Sequence, residues 1–334
     1  MPWKNFSDPY HIWIAEIILQ QTRVDQGSPY FEKFIHRFPD LQTLATASVE
    51  DVLLVWEGLG YYSRARNLHH TARFVWEELE GKFPGTARDL QKLKGVGPYT
   101  AAAIASFAYG EAIGVVDGNV KRVISRYFHV TEAIDRPEVK NHIQALVNRI
   151  VEQVPAADFN QAIMNFGAML CIPRGPDCSI CPLRDGCQAF QLQEVDHLPV
   201  KSKSTVKQNM WMHFGVYIQD GRIALIRNTQ SNIWKNLYLF PVLGTHPDHS
   251  WGVDKAGKIP LSQYALYGEM EWILTHRRIK IYFYELDKWP ESGQKDQYSM
   301  VELEKLNKFA LPRPLRLFLK QNSIKLGINT TNDQ

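Results

Sequence analysis

The four cysteines of this chain, Cys171, Cys178, Cys181 and Cys187, all stand within one stretch of seventeen residues, spaced C-x6-C-x2-C-x5-C. Pro173, Gly175, Pro176, Pro182 and Gly186 lie among them. Proline and glycine at that density exclude a regular helix or strand, so this stretch folds as a loop. Four thiolates held together in one loop are the donor set of a metal centre. A disulfide pair is the weaker reading, because MPWKNFSDPYHI lacks the charged start, apolar run and small-residue cleavage site of a secretory leader. Structural zinc stands second, since it usually takes two close cysteine pairs and only Cys178 and Cys181 form one. The tighter C-x2-C-x2-C run of ferredoxin-type carriers is absent, and the spacing suits a 4Fe-4S cluster used as a structural clasp.

At 334 residues, two domains are expected. Hydrophobic residues make up 45% and charged residues 22%, enough for packed interiors, and no apolar run is long enough to span a bilayer. A monomer in the cytoplasm is expected, nucleoid-associated in a bacterium. The net charge of +3 is compatible with a polyanionic partner without requiring one.

From Tyr10 to Cys171 the sequence reads as a succession of helices, and this half is expected to be all-α. A polar connector over residues 188–208, containing VKSKSTVK, reads as a linker. Beyond Asn209 come short alternating runs (MHFGVYI, RIALIR, LYLFPVL, MEWILTH, IKIYFYEL), with Asp220-Gly221 as a hairpin signal between the first two. Helix-prone stretches near 301–305 and over 313–322 make this half mixed. The expected division is a helical domain over 1–187, the linker, a second domain over 209–323 and a disordered tail over 324–334.

The segment RDLQKLKGVGPYTAAAIASFAYG (88–110) reads as helix, tight turn, helix. Gly95 and Gly97 allow the sharp turn, and amides at a helix N-terminus suit a phosphate oxygen. On the hairpin alone, a DNA-binding element and an ordinary αα-hairpin are equally good readings. Asp117, in VVDGNVKRVISR, reads first as a helix N-cap and second as a site carboxylate. Glu16 tips the balance, because HIWIAEIILQQT is apolar on nearly every face. A carboxyl buried there tends to hold its proton, so Glu16 is a candidate general acid, with a salt-bridged core glutamate as the lesser alternative. One protonated and one ionised carboxyl are the equipment for breaking a glycosidic bond.

With these residues assembled, the chain resembles the MutY-type adenine glycosylases of the endonuclease III, helix-hairpin-helix superfamily. The resemblance is carried by DPYHIWIAEIILQQTRV, WEGLGYYSRARNL, LKGVGPYTAAAI, VVDGNVKRV, FNQAIMNFGAMLC and the cysteine loop, and covers nearly the whole length. It implies an all-α helix-hairpin-helix glycosylase domain with a 4Fe-4S loop, followed by an α+β Nudix-like domain. It also implies removal of adenine opposite 8-oxoguanine or guanine in double-stranded DNA. Glu16 would protonate the adenine, Asp117 would stabilise or capture the sugar cation, and Tyr99 and Asn119 would organise that second carboxylate. Lyase-competent relatives carry a lysine where this chain has Tyr99, so a monofunctional hydrolase is implied. An endonuclease III-like lyase on oxidised pyrimidines and a non-enzymatic cluster protein remain alternatives.

Further site residues follow from the same resemblance. Trp3, Lys4, Leu19 and Gln161 match the adenine pocket. Lys4 stands where arginine is usual, and the family has more residues before this point, so a looser pocket rim is expected. Gln21, Thr22, Leu59 and Tyr61 match the side chains that enter the base stack, with one of Tyr61 and Tyr62 expected to be a buried helix start. Lys94, Gly95, Val96 and Gly97 form the DNA-binding turn, where Lys94 replaces a usual proline. The second domain lacks the glutamate-rich Nudix box, so a lesion reader is expected. Thr275 and His276 stand where the family shows a Phe-Ser-His motif, with a polar hairpin tip as the competing reading. Arg174, Arg184, Arg277, Arg278 and Lys280 are candidate phosphate contacts or a solvated face.

Overall fold

A computed structural model describes residues 7–22, 24–202, 207–230, 233–246, 264–288 and 298–326. The chain divides into two compact units, Met1–Thr46 with Asn67–Ser204, and Ala47–Arg66 with Thr205–Gln334.

In the first unit, α1 (Pro9–Leu19) begins at Asp8, whose carboxylate accepts the Tyr10 amide at 2.9 Å, with Pro9 at the first helical position. The helix is apolar all round and is therefore buried over Tyr10 and Ile12–Ile18. Then follow α2 (Val24–Arg37), α3 (Leu41–Thr46), α4 (Val49–Val55, in the second unit), α5 (Ser63–Glu78), α6 (Ala87–Leu90), α7 (Pro98–Tyr109), α8 (Gly118–Tyr127), α9 (Pro137–Val151) and α10 (Ala156–Met169). Ala101, Ala102, Ala103 and Ala105 are all buried, and their small side chains let α7 pack closely on α1. Gly110, left-handed at φ 70°, ends α7 by donating its amide to the carbonyls of Ala105 and Ser106. Val115, Val120, Ile124, Ile143, Val147 and Val151 close a second core around α8 and α9.

Part of the stretch expected as a linker is structured. Gln188–Gln191 form a short helix, α11, and Ile134 donates its amide to the Val200 carbonyl at 3.0 Å. Residues 203–206 lie outside the described residues, as do 327–334 of the expected tail, while Ser323–Leu326 are helical.

The second unit is a mixed sheet built on β1 (Gln208–Gln219). This strand pairs with β2 (Arg222–Arg227) through the Asp220-Gly221 turn, whose two φ angles of 50° and 69° suit a two-residue hairpin. Its other half pairs antiparallel with β4 (Val242–His246) and parallel with β6 (Arg277–Leu286). β5 (Leu266–Ile273) extends the sheet beyond β6, while β3 (Tyr238–Leu239) and β7 (Tyr298–Glu302) flank β2. Alternation buries Ile279, Ile281 and Phe283 on one face of β6. There α12 (Arg313–Gln321) lays Phe318 on Phe283, ring centroids 3.9 Å apart. Trp234, Leu237, Leu239 and Phe240 are buried as core, as their apolar run implies.

The sequence places residues 47–66 in the helical half, whereas they pack with the sheet. Their anchor is Glu57, which accepts from the Arg316 guanidinium at 2.5 and 2.9 Å and from the Leu311 amide at 3.3 Å.

Candidate active site and cysteine loop

Glu16 sits on α1 at 2% exposure and has no cationic ion-pair partner among the described residues. Burial pushes its carboxyl from 4.5 up to about 7; a hydrogen bond with Tyr99 pulls the other way and the nearby Asp117 charge adds to the rise. The Tyr99 phenol is itself held well above its ordinary value by burial and by Glu16. The phenol therefore serves Glu16 as a donor, whereas the sequence reading had it organising Asp117.

Asp117 caps α8. Its Oδ1 accepts from the Val120 amide at 2.6 Å and its Oδ2 from the Asn119 side-chain amide at 2.9 Å. Burial raises its pKa, against these hydrogen bonds and the neighbouring Arg122 charge, which favour the ionised form. Arg122 donates to Asn119 Oδ1 at 3.0 Å, to the Gly167 carbonyl at 2.5 Å and to the Cys171 carbonyl at 2.7 Å. Thus the cap and the start of the cysteine loop share one guanidinium. Burial raises both carboxyls, Glu16 to about 7, while Asp117 alone has hydrogen bonds from a backbone and a side-chain amide and a neighbouring guanidinium that favour its ionised form.

Cys171, Cys178, Cys181 and Cys187 line a single cavity with Arg126, Tyr127, Phe166 and Leu170. Among the described residues no three His, Cys, Asp or Glu side chains converge as ligands of one metal ion. Four thiols lining one cavity are a donor set that could hold a metal cluster. Arg126, 2% exposed, donates to the carbonyls of Ile172, Pro173, Val195 and Leu198 at 2.8 to 3.1 Å, and its Nη1 lies 3.3 Å from Cys171 Sγ.

In the glycine turn, Gly95 is left-handed at φ 82°, and a Cβ there would lie 2.7 Å from Asn67 Cβ. Only glycine meets both conditions. Val96 is buried, so it offers no side chain to a ligand; Lys94, Gly95 and Gly97 are exposed. No side chain caps the Gly97 end of α7, which leaves the first-turn amides facing outward. Gln21 is exposed and left-handed at φ 60°, and Thr22 donates its amide to the Leu19 carbonyl. Gln161 is half-buried and bonded to Asn165 at 3.1 Å. Trp3 and Lys4 lie outside the described residues.

Within the second unit, the GLGYY turn carries Gly58, Gly60 and Tyr61 at positive φ. Leu59 is half-buried and Tyr61 exposed, while Tyr62 is buried with its hydroxyl toward the Leu311 carbonyl. The Tyr61 hydroxyl hydrogen-bonds the Thr275 hydroxyl. Arg64 stacks over the Trp56 and Tyr61 rings at 5.3 and 5.5 Å. Thr275 and His276 are exposed at the tip between β5 and β6.

Sequence reading missed Arg122, Arg126 and Asn160. The two arginines are four apart on α8, flanking the buried Val123 and Ile124, and charges set so close to an apolar stripe were the available signal. Asn160 is fully buried behind Val115, and nothing local marks it.

Residues 14–149 match the HhH-GPD superfamily of base excision DNA repair proteins, and residues 213–321 match a NUDIX domain. The adenine DNA glycosylase of Buchnera aphidicola subsp. Schizaphis graminum is 37% identical over 245 residues, which span 73% of this chain and 71% of that protein. The chain belongs to the adenine DNA glycosylase family. The human adenine DNA glycosylase is 43% identical over 207 residues, 59% of this chain and 38% of its own. A thermostable thymine-DNA glycosylase structure superposes with a TM-score of 0.51 at 30% identity, covering 57% of this chain and 88% of that one. As a member of this family the chain is a base-excision repair enzyme that binds DNA and hydrolyses the N-glycosyl bond of adenine. No helix among the described residues is long and apolar enough to cross a membrane.

Proposed function

We propose that the enzyme removes adenine paired with 8-oxoguanine or guanine in duplex DNA, as a monofunctional glycosylase in which Glu16 is the acid and Asp117 the stabilising anion. The observation that carries this reading is the buried Glu16 carboxyl, held up to about 7 beside an ionisable, hydrogen-bonded Asp117. Adenine is a poor leaving group until protonated, so Glu16 delivers a proton to the base as the glycosidic bond lengthens. The sugar gathers positive charge, and Asp117 stabilises it until water adds and leaves an abasic site. Asn119 holds the Asp117 carboxylate in place, and Tyr99 occupies the place of a lyase lysine.

The amides of the Lys94–Gly97 turn bind DNA phosphate, Gln21 and Thr22 of the first unit and Leu59 and Tyr61 of the second are the candidates to enter the base stack, and Trp3, Lys4, Leu19 and Gln161 are the candidates for adenine recognition. Thr275, beside His276, reads the opposite base. The Thr275 hydroxyl, which shares a hydrogen bond with the Tyr61 hydroxyl, is the donor offered to the lesion base. The four cysteines hold a 4Fe-4S cluster that orders the loop and takes no part in the bond cleavage; iron at about four per chain is expected.

The test is a set of duplexes with adenine opposite 8-oxoguanine, guanine or thymine, each analysed before and after alkali. Adenine release from the first two, with strand breaks only after alkali, is the expected result. Scission without alkali, or equal release opposite thymine, would overturn the reading.

A further inference from the structure

The segment leading into Asp117 has no regular structure over Ile113–Val116, yet its backbone is not left to solvent. Three amide side chains hold it. Asn160, fully buried on α10, accepts from the Val115 amide at 2.9 Å through Oδ1 and donates to the Ile113 carbonyl at 2.9 Å through Nδ2. One side chain thus pairs with the donor and acceptor of residues two apart, as a neighbouring β-strand would. Its remaining proton goes to Ser106 Oγ at 2.9 Å on α7, so the amide orientation is fixed by all three partners. From the other side, Asn148 Oδ1 accepts the Gly114 amide at 2.9 Å and the Gln144 side chain donates to the Gly114 carbonyl at 2.8 Å. Gln144 and Asn148 are also bonded to each other at 2.9 Å. Gly114 is pressed so closely onto α9 that a Cβ would lie 2.5 Å from Val147 Cγ1.

We infer that Asn160, assisted by Gln144 and Asn148, is a positioning residue for the reaction: by clamping Ile113–Val115 it sets how far the Asp117 carboxylate stands from the sugar. The inference rests on the reading of Asp117 as the stabilising anion. Asn160 is fully buried at a cost that its three hydrogen bonds offset, and with the half-buried Gln144 and Asn148 it pairs backbone groups of Ile113, Gly114 and Val115, just before Val116 and Asp117. A carboxylate acting on a developing charge is sensitive to small displacements, since a misplacement of about 1 Å can cost roughly a hundredfold in rate. The α8 cap holds Asp117 from in front, and the amide clamp holds the chain behind it.

The experiment is single-turnover kinetics of the full-length enzyme on a duplex with adenine opposite 8-oxoguanine, comparing Asn160→Ser, Gln144→Met and Asp117→Asn with the parent. Active-site titration separates the fraction of folded enzyme from the rate constant of each active molecule. For Asn160→Ser a fall of roughly ten- to a hundredfold in that rate constant is expected, and for Gln144→Met a smaller fall. DNA affinity and the alkaline limb of the pH profile, which Glu16 governs, should stay where they are. A parental rate constant per active molecule in both variants would overturn the inference, and so would a displaced alkaline limb, which would place the effect on Glu16. Where Asn160→Ser does not fold, Gln144→Met decides alone, because Gln144 is half-buried on the outer side of the clamp. Asp117→Asn with a parental rate would refute the underlying reading of Asp117, whatever the clamp variants show.

Discussion

Replacing Glu16 with glutamine should change the pH dependence of folding as well as abolish catalysis. In the unfolded chain this carboxyl titrates near its ordinary 4.5, and in the folded protein burial moves it to about 7. Below the lower value both states hold the proton, and stability is at its fullest. Between the two, the unfolded chain releases a proton that the folded chain keeps, so stability falls as pH rises. Beyond the upper value the loss levels off. The interval between 4.5 and about 7 corresponds to a contribution on the order of 3 kcal/mol. Glutamine cannot titrate, so the Glu16→Gln variant lacks this component while every other group in the protein keeps its own. The difference in unfolding free energy between variant and parent should therefore grow in favour of the variant by about 3 kcal/mol from about pH 4 to about pH 8. Urea denaturation of both proteins across that range, followed by far-UV circular dichroism, measures it. A difference that stays flat with pH would refute the reasoning, since it would mean that Glu16 is ionised in the folded protein as easily as in the unfolded one. Adenine release by the same variant should drop by at least about a hundredfold at every pH.

Three further outcomes follow from particular contacts. Tyr99→Phe removes the hydrogen bond that lowers the Glu16 pKa, so the alkaline limb of the pH-rate profile should move to higher pH; a shift the other way, measured in single turnovers, would contradict the pairing. Arg126→Met leaves the carbonyls of Ile172, Pro173, Val195 and Leu198 without their buried donor, and should destabilise the first unit by roughly 3 kcal/mol or more and lower iron per chain, as elemental analysis would report. Gly95→Ala meets both a left-handed φ and the Asn67 side chain, and should cost about 1 to 3 kcal/mol and weaken duplex binding in a fluorescence-anisotropy titration.

Much of the candidate site was legible because it depends on local pattern. An acid in a helix apolar on every face has few roles, and the Gly-Val-Gly turn and the Asp117 cap are short-range features. The Asp220-Gly221 hairpin was likewise written in two adjacent residues. What escaped the sequence is long-range. Residues 47–66 look like one more helical segment, and it takes long-range contacts such as the Glu57–Arg316 pair, 259 positions apart, to place them with the second unit. The polar text after Cys187 reads as a connector because its carbonyls are what the fold uses, and carbonyls carry no residue identity. Asn160 was invisible for the same reason, since all but one of its partners are backbone atoms. Helix α3 has six residues, too few for a periodic signal, and its start rests on Asp40, which accepts the Thr43 amide at 2.7 Å.

The guanidinium of Arg126 reaches forward in sequence to Ile172 and Pro173 and further on to Val195 and Leu198. One planar group with a fixed fork of donors cannot serve one of these segments well while the other is loose. The two stretches of chain are therefore a single cooperative unit that opens and closes as one. Amide hydrogens on both sides of the cysteines should exchange with solvent at a common rate, and a protease that finds 192–198 exposed will find 171–173 exposed as well.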